Sequence, residues 1–137
     1  MNLMKKLVVA PGKPVKLNKI DPDGTPGCKS KEAAAAELPG LVEELRGLQY
    51  KLYAENRRAV LVVLQAMDAA GKDGLVRAVF SGLNPQGCSV TPFKVPSSEE
   101  RDHDFLWRIH KAVPPYGEIG VFNRSHYEDV DRKSTRL

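Results

Sequence analysis

Val60–Gly74 reads VLVVLQAMDAAGKDG. Five consecutive apolar residues run into a short loop ending Ala-Gly-Lys-Asp-Gly, and an amphipathic stretch follows. A short apolar run bounded by glycine is the pattern of a buried strand. Such a strand delivers the chain to the edge of a sheet, where the backbone N–H groups of a loop can surround an anion at the N-terminus of the next helix. A lysine in that loop adds a mobile positive charge that reaches a terminal phosphate. Ala69, Ala70, Gly71, Lys72, Asp73 and Gly74 are therefore the candidate phosphate-binding residues.

The loop departs from the standard P-loop pattern, G-x-x-x-x-G-K-[ST]. Ala66 stands at the first glycine position and Asp73 follows Lys72, so the usual hydroxyl ligand for magnesium is missing. Asp68 and Asp73 bring two carboxylates instead. A carboxylate beside bound phosphates is repulsive unless a cation lies between them. Asp68 is accordingly a candidate magnesium ligand, or a group that orients the phosphoryl acceptor. The same residues also suit a plain strand-to-helix turn, with Gly71 and Gly74 serving geometry and Asp68 or Asp73 capping the helix.

Composition sets the outer bounds. The 137 residues fit one domain, 42% are hydrophobic, and a formal charge of +4 suits anionic partners. That charge is uneven: residues 1–31 hold seven lysines against two aspartates, while the remainder is close to neutral. A solvated basic tail accounts for most of those lysines. Cys28 and Cys88 lie far apart with no C-x-x-C pairing, so free thiols in a reducing cytosol are expected rather than a disulfide framework or a zinc site. The N-terminal apolar run is too short for a signal peptide, and no segment has the length of a membrane span. A cytoplasmic protein is expected, with no nucleic-acid or membrane partner.

Prolines and glycines over residues 1–30 predict an extended basic arm. Ser30 is a candidate N-cap for a helix that Pro39 should break or kink. Beyond it Leu41, Leu45, Leu48 and Leu52 predict one apolar helix face running to about Arg57. The pattern then predicts a strand over 59–65, a helix over 72–81, a turn at Asn84-Pro85-Gln86-Gly87 and a strand over 88–93. A capping box of Ser97 and Glu100 predicts a helix to about Ala112, which Pro114-Pro115 stops. Glu118–Asn123, EIGVFN, reads as a third strand. Strands and helices alternating at this spacing imply an α/β fold, a parallel sheet flanked by helices. Ligands of such sheets bind beyond the carboxyl ends of the strands, which brings Asp68–Lys72 and Asn123–Asp129 together.

The second cluster is Asn123-Arg124-Ser125-His126-Tyr127-Glu128-Asp129. Asn123 occupies the strand-end position that helps to hold magnesium in P-loop enzymes, and its amide oxygen suits a water-mediated contact. Arg124 offers a planar fork of donors to phosphate. Glu128 and Asp129 could bind metal or accept a proton; Glu128 is counted with the phosphate- and nucleotide-binding candidates, or simply pairs with Arg124. His103 and His110, seven apart, are expected on one face of a helix in a structural or exposed role. Phe105, Leu106 and Trp107 are expected to pack helix against sheet. Lys94, just past the second strand, is a further phosphate candidate, though a plain surface lysine is the simpler reading.

DAAGKDG at 68–74, FSGLNPQG at 80–87, HDFLWRIHKAVP at 103–114 and GVFNRSHYEDV at 120–130 closely resemble the polyphosphate kinase 2 family, as does the arm PGKPVKLNKIDPDGT at 11–25. The resemblance implies a P-loop kinase-like fold and transfer of a terminal phosphoryl group between inorganic polyphosphate and AMP, ADP or ATP, with Mg2+. It implies roles for Asp68 in metal binding and acceptor orientation, for Lys72 on phosphate, and for Asn123 and Arg124 as the second-strand motif. Asn in FNRSHYED is similar to the subgroup acting on AMP and ADP. Ala66 replaces a residue that is often Gly in the family.

The tail DRKSTRL at 131–137 departs from the family, which continues into an apolar strand and roughly another hundred residues including a basic lid. Residues 1–30 are thus expected as an arm, 31–130 as the N-terminal part of the P-loop domain, and 131–137 as a non-family tail. On this reading the chain is a C-terminally truncated member, poorly active or inactive alone, of a family whose full-length members form homo-oligomers. An ATP-dependent P-loop kinase of a small molecule and a non-catalytic anion-binding fragment are the competing readings.

Overall fold

The computed structural model describes residues 7–67 and 69–127. Contacts divide the chain into two compact units, Met1–Pro39 and Gly40–Leu137. In the first, every residue from 7 to 37 is exposed. Its local order comes from turns: a 3-10 turn at Leu17–Lys19, and an Asp21 carboxylate accepting the Asp23 N–H at 3.0 Å. Short polar side chains that bond their own backbone hold such turns without a core.

Helix α1 is Lys31–Glu55. Ser30 caps it, its Oγ accepting the Ala33 N–H at 3.1 Å. The expected break at Pro39 is absent: the helix runs through it unbroken. Proline removes one N–H and crowds one carbonyl, and in a helix of 25 residues the other ladder bonds carry the segment across. The unit boundary nevertheless falls at Pro39 and Gly40.

The core of the second unit is a three-stranded parallel sheet. The strands are β1 (Val60–Leu64), β2 (Cys88–Pro92) and β3 (Ile119–Asn123), in the order β1-β3-β2. Register aligns Val62 and Val90 with Val121. β3 is paired on both sides and buried on both faces, which is why it reads as a continuous apolar run; Val121 and Phe122 are essentially inaccessible. On one face Ile119 and Val121 meet Leu83, Leu45, Leu52 and Val76, residues of α1, helix α2 (Lys72–Phe80) and the turn after it. On the other, Phe122 packs with Phe93 and Ile109. Gly120 lies in this central strand because a Cβ there would come within 2.8 Å of the Pro114 ring.

The predicted leucine stripe of α1 is rotated. Leu45 and Leu52 pack inward, but Leu41 and Leu48 are half exposed and Gln49 is buried. Gln49 donates to the Asn84 carbonyl at 2.8 Å and accepts the Asn84 N–H at 2.9 Å. This two-bond clasp fixes which side of the helix faces the sheet. Gln49→Ala would leave both backbone groups of Asn84 without that partner. It should cost about 2 kcal/mol, read as a lower urea midpoint with unchanged m-value; an unaltered midpoint would contradict the clasp.

The single helix predicted from Ser97 to Ala112 is two. The capping box forms, with Ser97 and Glu100 exchanging side-chain and backbone bonds, but α3 is only Ser98–Asp102 and α4 is Trp107–Ala112. Asp104 starts the second helix by accepting the Leu106 N–H at 2.8 Å; short acidic side chains compete with the helical ladder in this way. The break separates His103 from His110, so the two do not share a helix face. His103 stacks on Trp107 at 4.1 Å. Phe105 is exposed, and the residues that α4 buries are Arg108 and Ile109. Arg108 is satisfied by the Lys94 carbonyl at 2.9 Å and by Glu100 at 3.6 Å, over the Phe93 ring. Cys28 and Cys88 are free thiols, and burial with the nearby Glu118 carboxylate pushes the Cys88 thiol up, so it stays protonated.

Candidate active site

The carboxyl ends of β1 and β3 are adjacent because these strands pair directly. The chain leaving β1 passes Gln65 to Met67 and enters the glycine–lysine loop; the chain leaving β3 passes Asn123 and Arg124. The Arg124 N–H donates to the Leu64 carbonyl at 3.0 Å, and Ser125 Oγ lies 2.9 Å from Gln65 Oε1. These bonds hold the two exits side by side.

Between them is a cavity of about 320 Å3, walled by residues 69–74 with Arg77, Asn123 and Arg124. Gly71 stands at the N-terminus of α2 with φ +82°, and Ala69 has φ +63°. Left-handed backbone of this kind curls a loop into an anion-binding nest. Gly71 adopts it without strain, whereas Ala69 and Arg124, the latter at φ +77°, carry a Cβ into it. Two strained residues at the ends of two paired strands mark a site that the surrounding structure over-determines. The Leu75 N–H reaches back to the Gly71 carbonyl at 3.0 Å, so the amides before it, at the first turn of α2, lack intrahelical acceptors.

Lys72 spans its own loop: its ammonium donates to the carbonyls of Ala66 and Met67 at 2.8 and 2.9 Å. Asp73 does not cap the helix, since Gly71 has no side chain to do so and Asp73 turns away. Its carboxylate accepts Asn123 Nδ2 at 2.5 Å. The opposite atom, Asn123 Oδ1, is buried without a hydrogen-bond partner among the described residues. The amide orientation follows from the contact, because turning it over would press two oxygens together.

Of the residues singled out from sequence, Ala69, Ala70, Gly71, Lys72, Asp73, Gly74, Asn123 and Arg124 converge on this cavity. Lys94 does not line it; its side chain is exposed and its carbonyl receives Arg108. Asp68 and Glu128 lie outside the described residues. Sequence reasoning passed over Arg77, whose position four after Asp73 was the available signal. It also passed over the Gln65–Ser125 contact, which no local pattern announces. Gly71→Ala would force a Cβ into left-handed backbone with nothing else to clash with. It should cost about 1–2 kcal/mol and weaken anion binding more than thermal stability, a separation that titration and calorimetry on one sample would check.

A parallel sheet whose first strand feeds a glycine–lysine loop at a helix start, beside the polar end of a neighbouring strand, defines a P-loop kinase-like α/β protein. The sequence model of the family Polyphosphate kinase 2 (PPK2) matches residues 28–134. The chain belongs to the polyphosphate kinase 2 family. It is 52% identical over 128 residues to the AMP/ADP-polyphosphate phosphotransferase of Meiothermus ruber, covering 93% of this chain and 48% of that protein. It is 53% identical over 126 residues to the ADP-polyphosphate phosphotransferase of Rhodopseudomonas palustris, covering 92% of this chain and 44% of that one. The crystal structure of polyphosphate kinase 2 from Arthrobacter aurescens TC1 is similar with a TM-score of 0.85 at 46% identity, covering 92% of this chain and 46% of the other. The chain thus spans about half the length of the relatives it matches.

Proposed function

We propose that this chain carries the phosphate-binding part of a phosphotransferase that moves a terminal phosphoryl group between inorganic polyphosphate and a nucleoside mono- or diphosphate, AMP or ADP. The observation that carries the reading is the cavity at the strand ends, walled by residues 69–74, Arg77 and Arg124, in a chain of this family. The names of the Meiothermus and Rhodopseudomonas relatives supply the substrate class. The same reading sets the chain in the cytoplasm, a compartment suited to the free thiols Cys28 and Cys88. Among the described residues no helix is long and apolar enough to cross a membrane.

In the forward direction the bond between the terminal phosphorus and its bridging oxygen breaks, and a bond to a nucleotide phosphate oxygen forms. The polymer leaves one unit shorter. Charge in that transfer is spread over the equatorial oxygens, so positioning and cations do most of the catalysis. The amides of the loop receive those oxygens. Lys72 exchanges the carbonyls of Ala66 and Met67 for phosphate oxygen, which lets one ammonium hold the empty loop in shape and then bind the ligand. Arg124 closes the other wall.

Magnesium fits the donor set. Asn123 Oδ1 is a buried acceptor without a partner among the described residues, and Asp73 adds a carboxylate beside it; a hard cation takes such oxygens directly or through water. Asn123 and Asp73, with Asp68 from the sequence motif, would hold Mg2+, which would neutralise phosphate charge. The test is titration of the chain with polyphosphate and Mg2+ together with luminescent detection of ATP from ADP and polyphosphate. Polyphosphate binding that strengthens with Mg2+ is expected, and any ATP formed must depend on the polymer. ATP binding with indifference to polyphosphate would favour a small-molecule kinase and overturn the proposal.

A further inference from the structure

Arg77 stands on the second turn of α2, four residues after Asp73 and five after Lys72. Aspartate and arginine at this spacing on a helix ordinarily pair. Here they do not: the Asp73 carboxylate is taken by Asn123 Nδ2, and Arg77 reaches only the Asp73 carbonyl, through Nε at 3.4 Å. Among the described residues no carboxylate neutralises the guanidinium, although it lines the same cavity as Lys72 and Arg124. Arg77 is exposed, so its fork is open to an incoming anion. At 1.5 Å of rise per residue it lies about 7.5 Å along the helix from Lys72, further than the loop amides reach.

We infer that Arg77 is a polyphosphate-binding residue that contacts a phosphate beyond the one seated in the loop, so that the site prefers a polymer to a short phosphate. The inference rests on the phosphate-site reading above. Asn123 has a second part in it: by holding Asp73 it keeps the carboxylate from closing on Arg77. The planar guanidinium offers two parallel donors to phosphate oxygens, a geometry that a lysine does not reproduce.

Affinities of the whole chain for long-chain polyphosphate and for orthophosphate, at several salt concentrations, test this in the unsubstituted protein and in Arg77→Gln, Arg77→Lys and Lys72→Ala. Arg77→Gln should weaken polyphosphate binding about 10-fold, in line with one charge-assisted hydrogen bond. It should leave orthophosphate binding, which has no second phosphate to reach Arg77, unchanged and flatten the salt dependence for the polymer by about one counterion. Arg77→Lys should recover part of the loss. Circular dichroism and thermal unfolding of Arg77→Gln should match the unsubstituted chain. Unchanged polyphosphate binding in Arg77→Gln while Lys72→Ala loses it overturns the role of Arg77 alone, as does an equal loss for both anions. Failure of the unsubstituted chain to bind either anion overturns the phosphate site and Arg77 together.

Discussion

Lys72→Ala is expected to lower polyphosphate binding by 10-fold or more and to slow any phosphoryl transfer by about 10²–10³-fold. The first figure is the worth of a charge-assisted hydrogen bond; the second is what removal of one electrostatic donor costs where charge develops in the transition state. The side chain has two tasks. It bridges the carbonyls of Ala66 and Met67, and it lines the cavity together with Arg124. Alanine removes both, so the loop loses its internal tie as well as its cation. Lys72→Arg keeps the charge but replaces a compact ammonium with a planar fork that does not fit between the same two carbonyls; it should recover little. The fold should survive, because Lys72 contributes nothing to either apolar cluster. Retained anion binding in a folded Lys72→Ala protein would remove the loop from the mechanism altogether.

Phe122→Ala is expected to destabilise the second unit by about 3–5 kcal/mol. Phe122 is 2% exposed, at the centre of the sheet, and its ring meets Phe93 edge-to-face with centroids 4.8 Å apart. Truncation leaves a cavity against Ile109 and removes that ring pair. Against a total stability of about 5–15 kcal/mol the loss is large. At about 4–8 °C per kcal/mol for a domain of this size it lowers Tm by on the order of 20 °C. Calorimetry would show it. Val63→Ala is the matched control: Val63 pairs with Phe122 in register on the same side of the sheet but is 45% exposed, so it should cost under about 1 kcal/mol. Equal losses at the two positions would contradict the assignment of β3 as the buried centre. Because Asn123 follows Phe122 directly, loosening this ring should also loosen the hydrogen bond to Asp73.

Much of the framework was legible because it is local. VLVVL announces a strand by its apolar run, GKDG a helix start by its glycines, and Ser97 with Glu100 a cap by spacing alone. Each depends on residues within a few positions of one another. The two helices at 98–112 show where such reading fails: Asp104 offers its carboxylate to the Leu106 N–H, a competition between two local bonds that apolar spacing does not weigh. The exchange of Phe105 and Trp107 for Arg108 and Ile109 as the buried residues follows from that break, since it rotates everything after it.

Chemical identity was carried by the residues in order along the chain. The glycine–lysine loop, the FNRSHYED cluster and the alternation of strand and helix specify a P-loop kinase-like fold, because backbone geometry and apolar pattern are short-range properties. What the folded chain added is the pairing of distant groups. Asn123 with Asp73, Gln49 with Asn84 and Ser125 with Gln65 meet across 50, 35 and 60 residues. Whether Arg77 pairs with its helix neighbour or faces the cavity depends on the first of these. The first and third of these contacts meet because β3 lies beside β1 in the sheet, and a polar side chain commits to one partner only when packing has excluded water and the alternatives.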